Sequence, residues 1–244
     1  MNDLIFSELK IDFQENHRFY GVPSIFLTVC GCTNECINNN ELCKYSNASN
    51  NIYTIHDAKD FIEQNKNIKH IVINGGEPLI YKKQIEQFLT EIYKEDQFIT
   101  IYTKGNLPIL NPINPKIKIA LYIVDLTDKS IPNPGDKIIK NGKEFVFGTN
   151  DIEKMNIFNI NTLRDICVYC SDYLLLFKSE PSKILDKANY VIEQILDTKD
   201  EFSIRFLNKY HPKNNIVFSS RNKEEQEQIK NICIENGILF NKIY

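Results

Sequence analysis

The chain has 244 residues, enough to bury one sizeable core and short for two full catalytic domains. Its 42% hydrophobic and 25% charged residues exclude a disordered chain, and no apolar run approaches the roughly 18 residues of a membrane span. A net charge of −3, from 29 basic and 32 acidic residues, argues against wrapping nucleic acid. The expectation is a cytoplasmic single-domain protein that acts on a small molecule, with no membrane or nucleic-acid partner.

In chain order, short β-rich apolar runs alternate with amphipathic stretches. Residues 24–29, Ser-Ile-Phe-Leu-Thr-Val, read as a buried strand running straight into a cysteine-rich loop. A helix over 54–64 follows, then a strand over 70–74 that closes on Gly75-Gly76-Glu77-Pro78. Ile85, Phe88, Leu89 and Ile92 recur at helical spacing. Strands are expected over 98–103 and 117–124. The stretches 107–116 and 130–150 collect prolines, asparagines and glycines and read as loops. A strand over 173–177, a helix over 182–196, a strand over 202–207, a helix over 223–236 and a terminal strand over 238–241 complete the chain. Strands separated by helices imply parallel pairing with right-handed crossovers, hence an α/β fold with an open sheet or partial barrel.

Seven cysteines without a secretion signal make a poor disulfide set. Four of them, Cys30, Cys32, Cys36 and Cys43, fall within fourteen residues, directly after the first strong strand, where α/β proteins place their sites. Such a loop suits zinc or an iron–sulfur cluster. Spacing alone leaves both open: three thiolates on a four-iron cluster leave one iron free for a small molecule, whereas zinc would need a fourth ligand, His56 or Cys30. Cys167-Val-Tyr-Cys170 and Cys233 read as core thiols.

The second motif tips the balance toward iron–sulfur. Gly75 and Gly76 let backbone approach a ligand, Glu77 supplies a carboxylate, and Pro78 starts the next turn. A Gly-Gly-Glu-Pro at a strand end, about 40 residues after a Cys-x3-Cys, is a specific joint signal.

With these motifs the sequence resembles the radical S-adenosylmethionine enzymes, and within them the 7-carboxy-7-deazaguanine synthase family of the queuosine pathway. The segments that carry the likeness are Gly21-Val22-Pro23-Ser24-Ile25-Phe26, Gly31-Cys32 with Cys36, Val72-Ile73-Asn74-Gly75-Gly76-Glu77-Pro78-Leu79, Ile101 to Asn106, and Ile234-Glu235-Asn236-Gly237. The resemblance implies a single radical S-adenosylmethionine domain over 1–244, a partial (β/α)6-type TIM barrel, reduced or modified. Residues 1–23 would be an N-terminal extension contributing to the substrate site, and 30–50 the cluster-binding loop.

It further implies that Cys32, Cys36 and Cys43 ligate a [4Fe–4S] cluster, with Cys30 in reserve. The cluster would reductively cleave S-adenosylmethionine, held by Leu42, Gly75, Gly76, Glu77, Pro78 and Thr103. Gln14, Asn16, Thr28 and Asn74 would face the substrate. The implied activity is that of a lyase rearranging 6-carboxy-5,6,7,8-tetrahydropterin to 7-carboxy-7-deazaguanine, in a homodimer served by an electron donor such as flavodoxin or ferredoxin. No catalytic residue beyond the cofactor is implied.

The departures are specific. The gap between Cys36 and Cys43 is six residues where the family has two, and Lys44-Tyr45-Ser46 replaces the family's Asp-Thr, which leaves Mg2+ open. Gln14-Glu15-Asn16-His17 lacks two glycines of the family's substrate segment, and Thr28 stands in place of an arginine. Two rival readings follow: an activase that generates a glycyl radical on a partner protein, and a non-catalytic zinc-binding scaffold of the same fold.

Overall fold

The computed structural model describes residues 4–15, 19–31, 52–111, 114, 116–127, 137–140, 143–146, 160–170, 172–197, 201, 205, 207, 212–220 and 222–237. Strands β1 (Phe6–Phe13), β2 (Pro23–Val29), β3 (His70–Gly75), β4 (Phe98–Thr103) and β5 (Ile119–Thr127) come first. Helix α1 (Ile55–Gln64) precedes β3, and α2 (Lys82–Ile92) precedes β4. Then follow β6 (Lys137–Lys140), β7 (Lys143–Val146), α3 (Ile160–Tyr169), β8 (Tyr173–Lys178), α4 (Pro181–Leu196), β9 (Ile216–Ser219) and α5 (Lys223–Glu235). Seven strands form one open sheet in the order β1-β2-β3-β4-β5-β8-β9, and β6 and β7 form a separate hairpin. Five of the seven, β2, β3, β4, β5 and β8, coincide with strands expected from the sequence. β1 is added antiparallel to β2, while β2–β3, β3–β4 and β8–β9 pair in parallel. Among the described residues no helix is long and apolar enough to cross a membrane.

The chain divides into two compact units. The first comprises Met1–Thr103, Leu107–Ile123 and Cys170–Asp172; the second comprises Lys104–Asn106, Val124–Tyr169 and Tyr173–Tyr244.

In the first unit, β2 and β3 are buried over nearly their whole length, which explains their unbroken apolar runs. Thr54 caps α1 with a reciprocal box: its hydroxyl accepts from Asp57 N–H, and the Asp57 carboxylate accepts from Thr54 N–H. This satisfies two of the donors a helix start leaves open. α2 buries Ile85, Phe88, Leu89 and Ile92.

His70, at the start of β3, is buried at 1% exposure. The Ser24 hydroxyl donates its proton to the Val22 carbonyl at 2.8 Å. His70 Nδ1, 2.7 Å from Ser24 Oγ, must therefore be the donor there, and Nε2 accepts from the Thr100 hydroxyl at 2.8 Å. The ring, stacked on Phe19 with centroids 4.4 Å apart, is thus a satisfied neutral imidazole, and burial pushes its pKa down to about 4. In the unfolded chain the same imidazole takes up a proton near its ordinary value. Its contribution is therefore complete above about pH 6.5 and is lost as pH falls toward 4, a loss of about 3 kcal/mol. Urea unfolding as a function of pH should show this decline, and the variant His70→Gln should flatten it. An unchanged pH dependence in the variant would remove His70 from the account.

In the second unit, α4 starts with Pro181 in its first turn and buries Ile184, Ala188, Val191, Ile192 and Ile195. Asn222 caps α5 by accepting from Glu225 N–H at 2.9 Å, and Ile229 and Cys233 form its buried face.

Three readings of the sequence change. The stretch 130–150 contains the β6–β7 hairpin, with Lys137 opposite Val146 and Lys140 opposite Lys143. Its turn residues made the whole stretch resemble a loop. Glu201, Arg205 and Leu207 are helical, and Glu201 pairs with Arg205 one helical turn away, so the alternating Phe202-Ser-Ile-Arg-Phe is no guide to a strand there. β1, α3 and β9 were not anticipated. The expected terminal strand at 238–241 lies outside the described residues.

Candidate functional site

The Gly-Gly-Glu-Pro turn meets the residues that lead into the cysteine motif at the end of β2. Gly75 lies opposite Val29 in the β2–β3 register with φ of +119°. A Cβ there would lie 2.3 Å from the Val29 carbonyl oxygen and 2.6 Å from its nitrogen. Only a glycine allows this approach, because the obstructing atoms are backbone. Gly76 N–H then donates to the Val29 carbonyl at 3.3 Å, and Glu77 N–H donates to the Gly31 carbonyl at 3.1 Å. The turn after β3 is thereby fastened to the root of the cysteine loop. Gly31 itself adopts φ of +92° against the Tyr81 hydroxyl.

Glu77 is completely buried. Its Oε1 accepts from Leu79 N–H at 3.0 Å, and the Thr103 hydroxyl lies 3.0 Å from both carboxylate oxygens. Pro78, which has no N–H to satisfy, opens a short 3-10 helix over Pro78–Tyr81. Gly75, Gly76, Glu77, Pro78 and Thr103, expected from the resemblance to act together, are therefore brought together. Cys30 is also at the root, fully buried, its N–H donating to Ile5. Cys32, Cys36, Leu42 and Cys43 lie outside the described residues, as does Asn16.

Three of the expected substrate residues are described, and all are in the first unit. Gln14, at the end of β1, is 1% exposed. Its Oε1 accepts from Glu15 N–H at 2.9 Å and from the Tyr102 hydroxyl at 3.2 Å. The Glu15 amide can only donate, which fixes the orientation of the side-chain amide. Nε2 is left buried with no partner among the described residues, as is Asn74 Oδ1. Thr28, opposite Asn74 in the register, is buried. A buried donor and a buried acceptor without partners each carry a desolvation cost of about 1–3 kcal/mol, which a ligand with a complementary hydrogen-bonding edge would remove. Tyr102, which fixes Gln14, was not recognised as a site residue from sequence. Its signal was its place in the last residues of β4.

In the second unit, Asp125 accepts from Lys104 and Lys178, each ammonium 2.9 Å from Oδ2. Burial alone would raise this carboxyl; the two lysines outweigh it and hold the pKa below the ordinary range. The sequence did not single out Lys178. Cys167 is buried, and burial pushes its thiol up to about 12. It is a core thiol, as is Cys233, and neither these two nor Cys170 is in a disulfide. His56 lies on the exposed face of α1, 3.6 Å from Asp60. Among the described residues no three His, Cys, Asp or Glu side chains converge on a metal-sized site.

The family model described as a 4Fe-4S single cluster domain matches residues 20–122, a stretch holding Cys32, Cys36, Cys43 and the Gly-Gly-Glu-Pro turn. The crystal structure of QueE from Escherichia coli superposes with a TM-score of 0.51 at 15% identity, covering 97% of this chain and 92% of that one. Part of the chain thus matches a 4Fe-4S domain family, and the whole chain shares the fold of that structure. Its open, mostly parallel sheet matches the fold of that structure and is consistent with the expected partial barrel. No curated protein matches it by sequence.

Proposed function

We propose that this chain is a radical S-adenosylmethionine lyase of the 7-carboxy-7-deazaguanine synthase type, acting on 6-carboxy-5,6,7,8-tetrahydropterin or a close relative. The observation that carries the reading is the fastening of Gly76 and Glu77 onto Val29 and Gly31, inside the stretch matched as a 4Fe–4S domain. It sets the glycine turn and the buried Glu77 carboxylate beside the root of the loop that carries Cys32, Cys36 and Cys43.

The residues present fit the cofactors. Cys32, Cys36 and Cys43 would hold the [4Fe–4S] cluster, and the fully buried Cys30 is assigned to the core. At Gly75 any side chain would displace backbone, so the turn keeps the bare main chain that S-adenosylmethionine would lie along. Glu77, oriented by Leu79 N–H and the Thr103 hydroxyl, is the acceptor for its ammonium group. When bound, the cluster would supply the electron that cleaves S-adenosylmethionine. Gln14 Nε2 and Asn74 Oδ1 offer one donor and one acceptor to the amide-like edge of a pterin. Mg2+ and the homodimer are carried by the resemblance alone.

The test is anaerobic reconstitution with iron and sulfide, then incubation with S-adenosylmethionine, a reductant and 6-carboxytetrahydropterin, followed by mass analysis. A [4Fe–4S] cluster, 5′-deoxyadenosine and 7-carboxy-7-deazaguanine are expected. Deoxyadenosine without the deazapurine would reject this substrate. Deoxyadenosine only in the presence of a second protein would point to an activase, and zinc without iron would end the enzyme reading.

A further inference from the structure

Within the first unit, the two faces of β2, β3 and β4 differ in chemistry. Side chains alternate between faces along a strand, and the contacts of His70 with Ser24 on β2 and Thr100 on β4 put these three on one face. Asn74 on β3 and Tyr102 on β4 follow His70 and Thr100 at even spacing, so they share that face. The opposite face of β3 and β4 carries Ile71, Ile73, Ile99 and Ile101. The polar face is where a ligand can be read, and Gln14, next after β1, joins it through the Tyr102 hydroxyl.

We propose that Tyr102 is a positioning residue that locks the Gln14 amide so that its Nε2 donates to a carbonyl oxygen of the substrate, the oxo group of a pterin lactam. The assignment rests on the functional reading above and names the pair that selects the oxo form of the ring. Crowding of donors on one atom is the first argument. Glu15 N–H and the Tyr102 hydroxyl both reach Gln14 Oε1, at 2.9 and 3.2 Å, while Nε2 has no partner among the described residues. An amide serving the fold alone would share its bonds between both ends, because a buried donor without an acceptor is costly. Gln14 is 1% exposed, so bulk water does not supply the missing acceptor. The second argument is that the amide is held against turning over. A flipped amide would set Nε2 against Glu15 N–H, donor facing donor, and would lose the proton that the phenol now gives to Oε1. The third is Asn74 Oδ1 on the same polar face, a buried acceptor likewise without a partner among the described residues. A lactam displays C=O beside N–H, the complement of one unpaired donor and one unpaired acceptor.

The reconstituted enzyme is titrated calorimetrically with 6-carboxypterin and with its 4-amino analogue, in which the oxo acceptor is replaced by an amino donor. Wild type is expected to bind the oxo compound about tenfold or more tightly, the scale of one buried donor left facing a donor. Gln14→Met removes the donor and should bring the ratio near one. Tyr102→Phe keeps the ring and releases the amide, and should lower the ratio about threefold, the scale of one neutral hydrogen bond. A tyrosine that serves the fold alone would weaken both compounds equally in Tyr102→Phe and leave the ratio unchanged; that result overturns the proposal. It is also overturned, with the pterin reading intact, if wild type binds both compounds equally or if the preference survives Gln14→Met. If neither compound binds, the pterin reading fails and the proposal falls with it.

Discussion

Replacing Gly75 by alanine is expected to destabilise the first unit by about 4 kcal/mol, because left-handed strain adds to a clash that side-chain repacking cannot relieve. The added Cβ would lie 2.3 Å from the Val29 carbonyl oxygen, so β3 must part from β2 where Gly76 and Glu77 reach across. Gly21 is the control. It too has positive φ, +76°, but a Cβ there meets nothing within 4 Å, so Gly21→Ala should cost only about 1–2 kcal/mol of backbone strain. Urea unfolding of the two variants reads the difference, and iron bound after reconstitution should fall in Gly75→Ala alone. Equal losses in both variants would mean that the contact with Val29 does not constrain the turn.

Glu77→Ala is expected to abolish cofactor cleavage while leaving most of the cluster in place. The substitution removes the acceptor of the buried Leu79 N–H and one acceptor of the Thr103 hydroxyl, at a cost of about 1–3 kcal/mol. It also removes the carboxylate proposed to receive the ammonium of S-adenosylmethionine. Losing a charge-assisted hydrogen bond in a dry site corresponds to about a hundredfold drop in rate. Glu77→Gln keeps the shape and one acceptor, so it should retain stability and still lose most of the rate. Deoxyadenosine formation and iron content are the paired measurements. Loss of iron in Glu77→Gln would reassign Glu77 to cluster assembly, and full activity in Glu77→Gln would remove its charge from cofactor binding.

Where burial was two-sided, elements were legible from sequence. β2, β3, β4 and β8 are continuous apolar runs because both faces are covered, and α2 and α4 place their apolar residues at helical spacing. β1 was hidden because it is an edge strand: of Phe6–Phe13 only Phe6 is buried, and Glu8, Lys10 and Asp12 alternate with half-buried or exposed apolar residues. β9 has four residues, too few for a period. The candidate site was legible as two motifs but not as a clasp, since the contact runs through main-chain N–H and C=O groups that every residue carries. Tyr102, Lys104 and Lys178 were obscured for another reason. Their roles come from partners 88, 21 and 53 residues away, separations that only the folded sheet closes.

The ends of the cysteine segment explain how its unusual spacing is accommodated. On one side Cys30 N–H donates to the Ile5 carbonyl; on the other, Tyr53 and Phe6 exchange both of their main-chain hydrogen bonds. Two adjacent residues of the N-terminal strand region thus hold the chain where it leaves the sheet at Gly31 and where it returns at Tyr53. With both stems fixed side by side, closure entropy grows only logarithmically with the number of residues between them, about 0.6 kcal/mol for each doubling. Extra residues between Cys36 and Cys43 therefore leave the stems and the sheet unchanged, and the length of that segment can drift while the scaffold that presents it stays fixed.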